Sequence, residues 1–219
     1  MNTDAPGTAR LSAVAVDPVT SGSLVGELMG RFLQGRGRVV LVTGLRSTTD
    51  HALKLEGFRR TVEETWPGLD IAEVVEAHDD AKEAYQKCRE VLAHSAEVAG
   101  VYVTTANSLP VLRALEDEKP SGQVTVITTD LFPALLPHIR SQRIAATIHQ
   151  RPWTQGRIAF QALHRFLSEG LRPLPFIGLS PHIVMRSNLR HFLDRIGSGR
   201  EKNRENAEPE SVVPGALLP

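Results

Sequence analysis

The 219-residue chain has one cysteine, Cys88, so it forms no internal disulfide. This fits a reducing compartment without demanding one. It also lacks an excess of charge: 25 Lys and Arg balance 25 Asp and Glu, so no global positive field points to nucleic acid. No apolar run is long enough to span a membrane. The opening Met1-Asn2-Thr3-Asp4-Ala5-Pro6-Gly7 has neither the charged nor the apolar block of a secretory signal. There is no internal repeat, no Gly-rich phosphate loop, and no Cys–His–Asp arrangement with a catalytic motif. His51, His78 and His149 lack metal-ligand spacing, and no basic helix is interleaved with aromatics. The expectation is a protein that is not an enzyme and uses neither metal nor cofactor.

What the chain does have is alternation. Hydrophobic residues make up 41% of it, enough for a core and far from a disordered composition. Strand-like and helix-like periods follow one another. Strands are expected over 12–16, 38–43, 71–75, 100–103, 124–128, 144–148 and 183–186. The first helix is expected to be capped by Thr20 or Ser21, with Leu24, Val25, Leu28, Met29 and Phe32 on one stripe. The second is capped by Thr49 or Asp50 and carries Leu55, Phe58 and Val62. The third opens at Asp79 or Asp80 and turns Ala81, Ala84, Tyr85, Cys88, Val91 and Leu92 inward. Further helices follow over 107–118, 132–139 and 153–171. Near-continuous apolar strands separated by helices mean an α/β fold, a parallel sheet with helices on both faces. From position 198 the pattern stops, and 198–219 is expected to be a disordered tail.

The most informative stretch is Ala146-Thr147-Ile148-His149-Gln150-Arg151-Pro152-Trp153, followed by Gln155-Gly156-Arg157-Ile158-Ala159. A short apolar strand ends in Gln150, and a long helix starts just after Pro152. With Val40-Leu41-Val42-Thr43-Gly44, the run from His51 to Gly57-Phe58-Arg59, and Met185-Arg186-Ser187-Asn188, it resembles the lactose-repressor family of transcription regulators. That family shares a two-lobed fold, the periplasmic-binding-protein type 1 fold, with the sugar-binding proteins of transport systems. The resemblance runs from about Met1 to Phe192 and implies that the chain opens inside the family's first lobe. Residues 1–16 are then a remnant of that lobe and its crossover, 17–147 the main ligand-binding lobe, 148–175 a crossover and a helix of the other lobe, and 176–197 the closing strand and C-terminal segment. One lobe is largely missing, and the helix-turn-helix headpiece has no counterpart.

The implied function is the sugar-binding part of a cytoplasmic, DNA-binding transcription regulator. Its implied partners are a sugar or polyol effector, DNA through a headpiece outside this chain, and a second copy in a homodimer, with no membrane. The alternatives are a periplasmic sugar-binding protein of a transport system, or a remnant that binds nothing. The helix 153–171 carries Ile158, Ala159, Ala162, Leu163, Phe166 and Leu167 at helical spacing. In the family, such a stripe packs on the sheet of the first lobe.

In open α/β sheets ligands sit at the carboxyl ends of strands, and planar polar groups pair with neighbouring sugar hydroxyls. Asp130 closes the strand 124–128; the residues alone favour a helix cap there, and the resemblance, which places the family's ligand carboxylate at this point, implies the ligand role. Asn107 follows the strand 100–103 and is likewise either a cap or the family's ligand amide. Gln150, at the lobe crossing, aligns with the family's ligand glutamine; the alternative is a solvated polar residue of a hinge. The family's sugar-forking arginine aligns with Lys54, a point charge that cannot fork. Either Lys54 makes a single hydrogen bond, or Arg46 or His51 takes over; otherwise Lys54 is an ordinary solvated helix residue. Asp79 stands near where some relatives carry a stacking aromatic, which implies a more polar ligand or simply a helix start. Trp153 is a candidate for stacking, or for packing.

Overall fold

Side chains alternate across the central strands, and this alternation builds two cores. The computed structural model describes residues 3–95, 97–119 and 124–197. Their strands are β1 (Ala13–Val16), β2 (Gly37–Thr43), β3 (Leu69–Glu76), β4 (Val98–Val103), β5 (Thr125–Thr129), β6 (Ala146–His149), β7 (Phe176–Leu179) and β8 (His182–Val184). Their helices are α1 (Pro18–Phe32), α2 (Thr49–Thr65), α3 (Ala81–His94), α4 (Ser108–Glu118), α5 (Leu136–Arg140), α6 (Pro152–Glu169) and α7 (Arg190–Gly197), with a 3-10 turn at Pro133–Leu135 before α5.

Six strands form one sheet in the order β3-β2-β4-β5-β6-β8. On one face Val40, Val42, Val101 and Val103 pack under Cys88 and Leu92 of α3 and Leu112 and Leu115 of α4. On the other, Val39, Leu41, Tyr102 and Ile127 meet Met29 of α1 and Leu55 and Phe58 of α2. The central strands β2 and β4 are apolar on both sides because both sides are covered. Burial pushes the Cys88 thiol up to about 12, which leaves it an inert core residue. The sheet is parallel except at its edge, where β8 runs antiparallel to β6.

The remaining strands, β1 and β7, form a separate parallel pair. Val14, Val16 and Leu179 of that pair pack with Ile158 and Ala159 of α6. The chain crosses between the two sheets three times: after β1, after β6, and between β7 and β8. Only part of the α6 stripe finds cover in this small unit. Trp153, Phe160, Leu163 and Leu167 remain exposed, with Leu171 and Leu174 just beyond.

Several local expectations are corrected. Asp17, not Thr20 or Ser21, caps α1: Pro18 starts the helix, and the Asp17 side chain accepts the Thr20 N–H. The residue before α2 is Thr48, which makes no side-chain cap bond. Of the two residues expected to open α3, Asp80 is the cap, accepting from the Glu83 N–H as expected. Asp130 caps nothing, because the residue before the 3-10 turn is Phe132. The expected closing strand over 183–186 is β8, two residues shorter at its end, and β7 and α7 were not anticipated. The expected tail, 198–219, lies outside the described residues.

One packing detail places the site. A Cβ on Gly22 of α1 would sit 2.0 Å from the Lys54 carbonyl oxygen, and a Cβ on Gly57 would sit 2.1 Å from that of Val19. The two glycines let the backbones of α1 and α2 touch, which draws the first turns of α2 over the carboxyl ends of β2 and β4.

Candidate functional site

Strand order reverses at β2: β3 follows on one side of it and β4 on the other. Such a reversal opens a crevice at the carboxyl ends of the two strands. Thr43 ends β2, and Thr104 follows β4. The Thr104 hydroxyl donates to Thr43 Oγ1 at 2.8 Å, and His51 Nδ1 lies 3.3 Å from Thr104 Oγ1. On its other side His51 Nε2 lies 3.6 Å from Asp79 Oδ2.

A second chain of contacts runs beside the first. Lys54 Nζ donates to Asp50 Oδ2 at 2.6 Å and to Gln150 Oε1 at 3.4 Å. Gln150 Nε2 donates to Asp130 Oδ1 at 2.8 Å. Gln155 Nε2 donates to the Gln150 carbonyl at 2.6 Å and holds the backbone at the crossing. Lys54 is 1% exposed and Gln150 6%; neither is the solvated surface residue its type suggests.

Electrostatics tie the two chains together. Burial is the largest influence on Asp130 and pushes its carboxyl above the usual range, against the Gln150 hydrogen bond and the nearby Lys54 charge. Burial also holds His51 below its ordinary value, with Lys54 acting in the same direction and Asp50 and Asp79 opposing.

Backbone strain gathers along the same rim. Of the six non-glycine residues with positive φ among the described residues, four are His78, Asp79, Asp130 and Arg151, all just beyond strands that end here. Each costs roughly 1–3 kcal/mol and persists only where the surroundings hold it. Asp130 is fixed by its N–H donating to the Ile148 carbonyl at 2.9 Å and its own carbonyl accepting from the Thr147 hydroxyl at 2.5 Å. Gly44 makes room for Asp79: a Cβ there would lie 2.4 Å from Asp79 Oδ1.

Of the residues chosen from the sequence, Lys54, Asp130 and Gln150 are joined directly, and His51 and Asp79 stand beside them. Asn107 is half-buried before α4; its N–H donates to Thr105 Oγ1 and its side chain makes no cap bond. Arg46 is exposed on the loop after β2, its N–H donating to Glu76 Oε1. Trp153 is 77% exposed in the first turn of α6. Sequence reasoning missed Asp50 as a site residue, although a carboxylate four positions before a lysine on a helix is a pairing signal. It also missed Thr43, Thr104 and Gln155. Asp50 further lines a cavity of about 240 Å³ with Asp17, Thr49, Leu53 and Phe176. Among the described residues no group of three His, Cys, Asp or Glu side chains could hold a metal, and no helix is long and apolar enough to cross a membrane.

A family of periplasmic binding protein domains matches residues 1–171. The chain belongs to that family. Its fold is similar to that of a glucose-galactose binding protein from Geobacillus stearothermophilus, at 23% identity and a TM-score of 0.80, covering 86% of this chain and 67% of that one. An arabinose binding protein from the same organism gives 24% and 0.77, with 85% and 67% covered. A solute binding protein from Burkholderia graminis, in complex with D-arabinose, gives 21% and 0.79, with 85% and 66% covered. The chain thus spans about two thirds of the length of these solved proteins. No curated protein matches it.

Proposed function

We propose that this member of the periplasmic binding protein domain family binds a sugar at the carboxyl edge of its six-stranded sheet, as part of a solute-binding protein of the transport type. Its role is binding rather than catalysis. The observation that carries the reading is the buried Lys54–Gln150–Asp130 connection beside the crevice between β2 and β4. A planar amide and a carboxylate held side by side suit two neighbouring hydroxyls. The sugar ligands named for several structural neighbours, arabinose among them, support the choice of ligand class. Asp130, Gln150 and Lys54 are its proposed contacts, with His51, Asp79, Asn107, Arg46 and Trp153 around them. A melting scan against arabinose, glucose, galactose and allose tests this: a sugar-dependent rise in Tm is expected, and none with any of them rejects it in favour of a non-binding remnant.

A second reading, the effector domain of a lactose-repressor-like regulator, is favoured by the segment after β8. There the Met185 N–H donates to Asn188 Oδ1 at 2.7 Å and Asn188 Nδ2 donates to the Ile183 carbonyl at 2.9 Å, which pins the Met185-Arg186-Ser187-Asn188 ending. That reading brings a cytoplasmic location, a homodimer and DNA contact through a separate headpiece. The gene sequence upstream of Met1 separates the two: a helix-turn-helix frame marks a regulator, a secretion signal a transport component.

A further inference from the structure

Two carboxylates, Asp50 and Asp130, lie against one ammonium, Lys54, and a third, Asp79, lies against His51 beside them. Their mutual influence is direct: Asp50, Lys54 and His51 all act on Asp130, and Asp50, Asp79 and Lys54 all act on His51. The Lys54 charge is already engaged, by Asp50 at 2.6 Å and by Gln150 Oε1. His51 offers little positive charge, because burial holds it toward the neutral form. Arg46, on the rim, has the Glu76 carboxylate against its own backbone, and the Arg151 guanidinium turns to the Ser180 carbonyl.

One buried carboxylate oxygen is also left over. Asp50 is 7% exposed, and its Oδ1 has no hydrogen-bond partner among the described residues. Gln150 cannot turn its amide over: that would set its NH2 against the Lys54 ammonium and its oxygen against the Asp130 carboxylate. Asp130 Oδ1 is therefore held as the acceptor of the Gln150 amide. Asp79 is held over Gly44, where only a missing Cβ admits it. Buried carboxylates without enough countercharge favour a ligand that brings one.

We propose that this site selects a polyhydroxylated ligand bearing an ammonium group over its neutral analogue, and rejects the acidic analogue. The proposal rests on the sugar-binding reading above.

The test uses the full chain with D-glucosamine, D-glucose and D-glucuronate, and the matching galactose series, near pH 7 at low salt, followed by ligand-observed saturation-transfer NMR and melting scans. The amino sugar should bind about tenfold more tightly than the neutral sugar of its series, and the acid about tenfold more weakly. Asp79→Asn should narrow the spread between amine and acid by about tenfold, since asparagine tolerates positive φ and the substitution removes only the charge. Its melting scan without ligand checks that the fold is kept. Neutral sugars that bind while amines bind no better, or while acids bind equally well, overturn this proposal and leave the sugar-binding reading standing. An amine-to-acid ratio unchanged in Asp79→Asn also overturns it. No binding by any of the compounds overturns this proposal, and no binding by arabinose or allose as well overturns the sugar-binding reading with it.

Discussion

Replacing Lys54 by methionine keeps the length and apolar stem of the side chain and removes its charge. Asp50 is then buried without a countercharge: its side chain is 8% exposed and that of Lys54 2%, so water does not replace the lost ammonium. Removing one partner of a buried ion pair costs about 3–5 kcal/mol. The bond to Gln150, at 3.4 Å, is long and adds little. With a urea m-value of about 2 kcal/mol/M, the unfolding midpoint should fall by about 1.5–2.5 M. The double variant Asp50→Leu with Lys54→Met removes both charges together and should recover most of that loss, because two apolar groups leave nothing unpaired. Urea melts of the two single variants and the double variant, followed by far-UV circular dichroism, read the cycle. A Lys54→Met midpoint within about 0.3 M of the parent, a change of under about 1 kcal/mol, would show that Asp50 does not depend on Lys54 and refute the network.

The other expectations concern packing, association and pH. Gly22→Ala should destabilise the chain by at least about 1–3 kcal/mol, because its Cβ would sit 2.0 Å from backbone that cannot move aside alone; an unchanged Tm would contradict the α1–α2 contact. The exposed face of α6 should drive self-association, since burying a side chain such as Phe160 or Leu167 is worth roughly 1.5–3 kcal/mol. Light scattering should therefore show oligomers for the parent and monomer for Phe160→Glu with Leu167→Glu; a monodisperse parent at high concentration would contradict this. His51 is held below its unfolded value of 6.5, so the unfolded chain binds the extra proton first. Its contribution is fully present above pH 6.5 and is lost as pH falls below that value. His51→Gln should flatten the fall in Tm on acidification, and an identical pH slope in the variant would remove His51 from the account.

Much of the architecture was legible because it is local. Val39 to Val42 are apolar on both faces, and α3 and α4 repeat their buried residues at helical spacing. Misplaced caps, such as Thr20 for Asp17, came from reading the apolar stripe before the proline that starts the helix. The pairing of β1 with β7 links residues some 160 positions apart and leaves no periodic signature in either four-residue strand. At the site, Asp130 and Gln150 were visible through the resemblance, but their mutual hydrogen bond was not. Lys54 looked like a surface residue because its type is most often solvated. Its burial depends on Gly22 and Gly57 drawing α2 close, and on a partner, Gln150, 96 residues away. The covering of α6 could not be read from the stripe alone, since Ile158 and Ala159 pack with β1 and β7 while Leu163 and Leu167 stay exposed among the described residues.

The central claim is that Asp130 and Gln150 form a sugar-binding edge. Calorimetric titration of the parent, Asp130→Ala and Gln150→Ala with the sugar that most raises the parent's Tm tests it most directly. Loss of the Asp130 acceptor leaves a hydroxyl donor unpaired and should weaken binding by about 1–3 kcal/mol, while Gln150→Ala should lower affinity more than it lowers Tm. Affinities unchanged in both variants, or a large Tm loss in Gln150→Ala with normal binding, would show that these residues hold the fold together and that the sugar binds elsewhere.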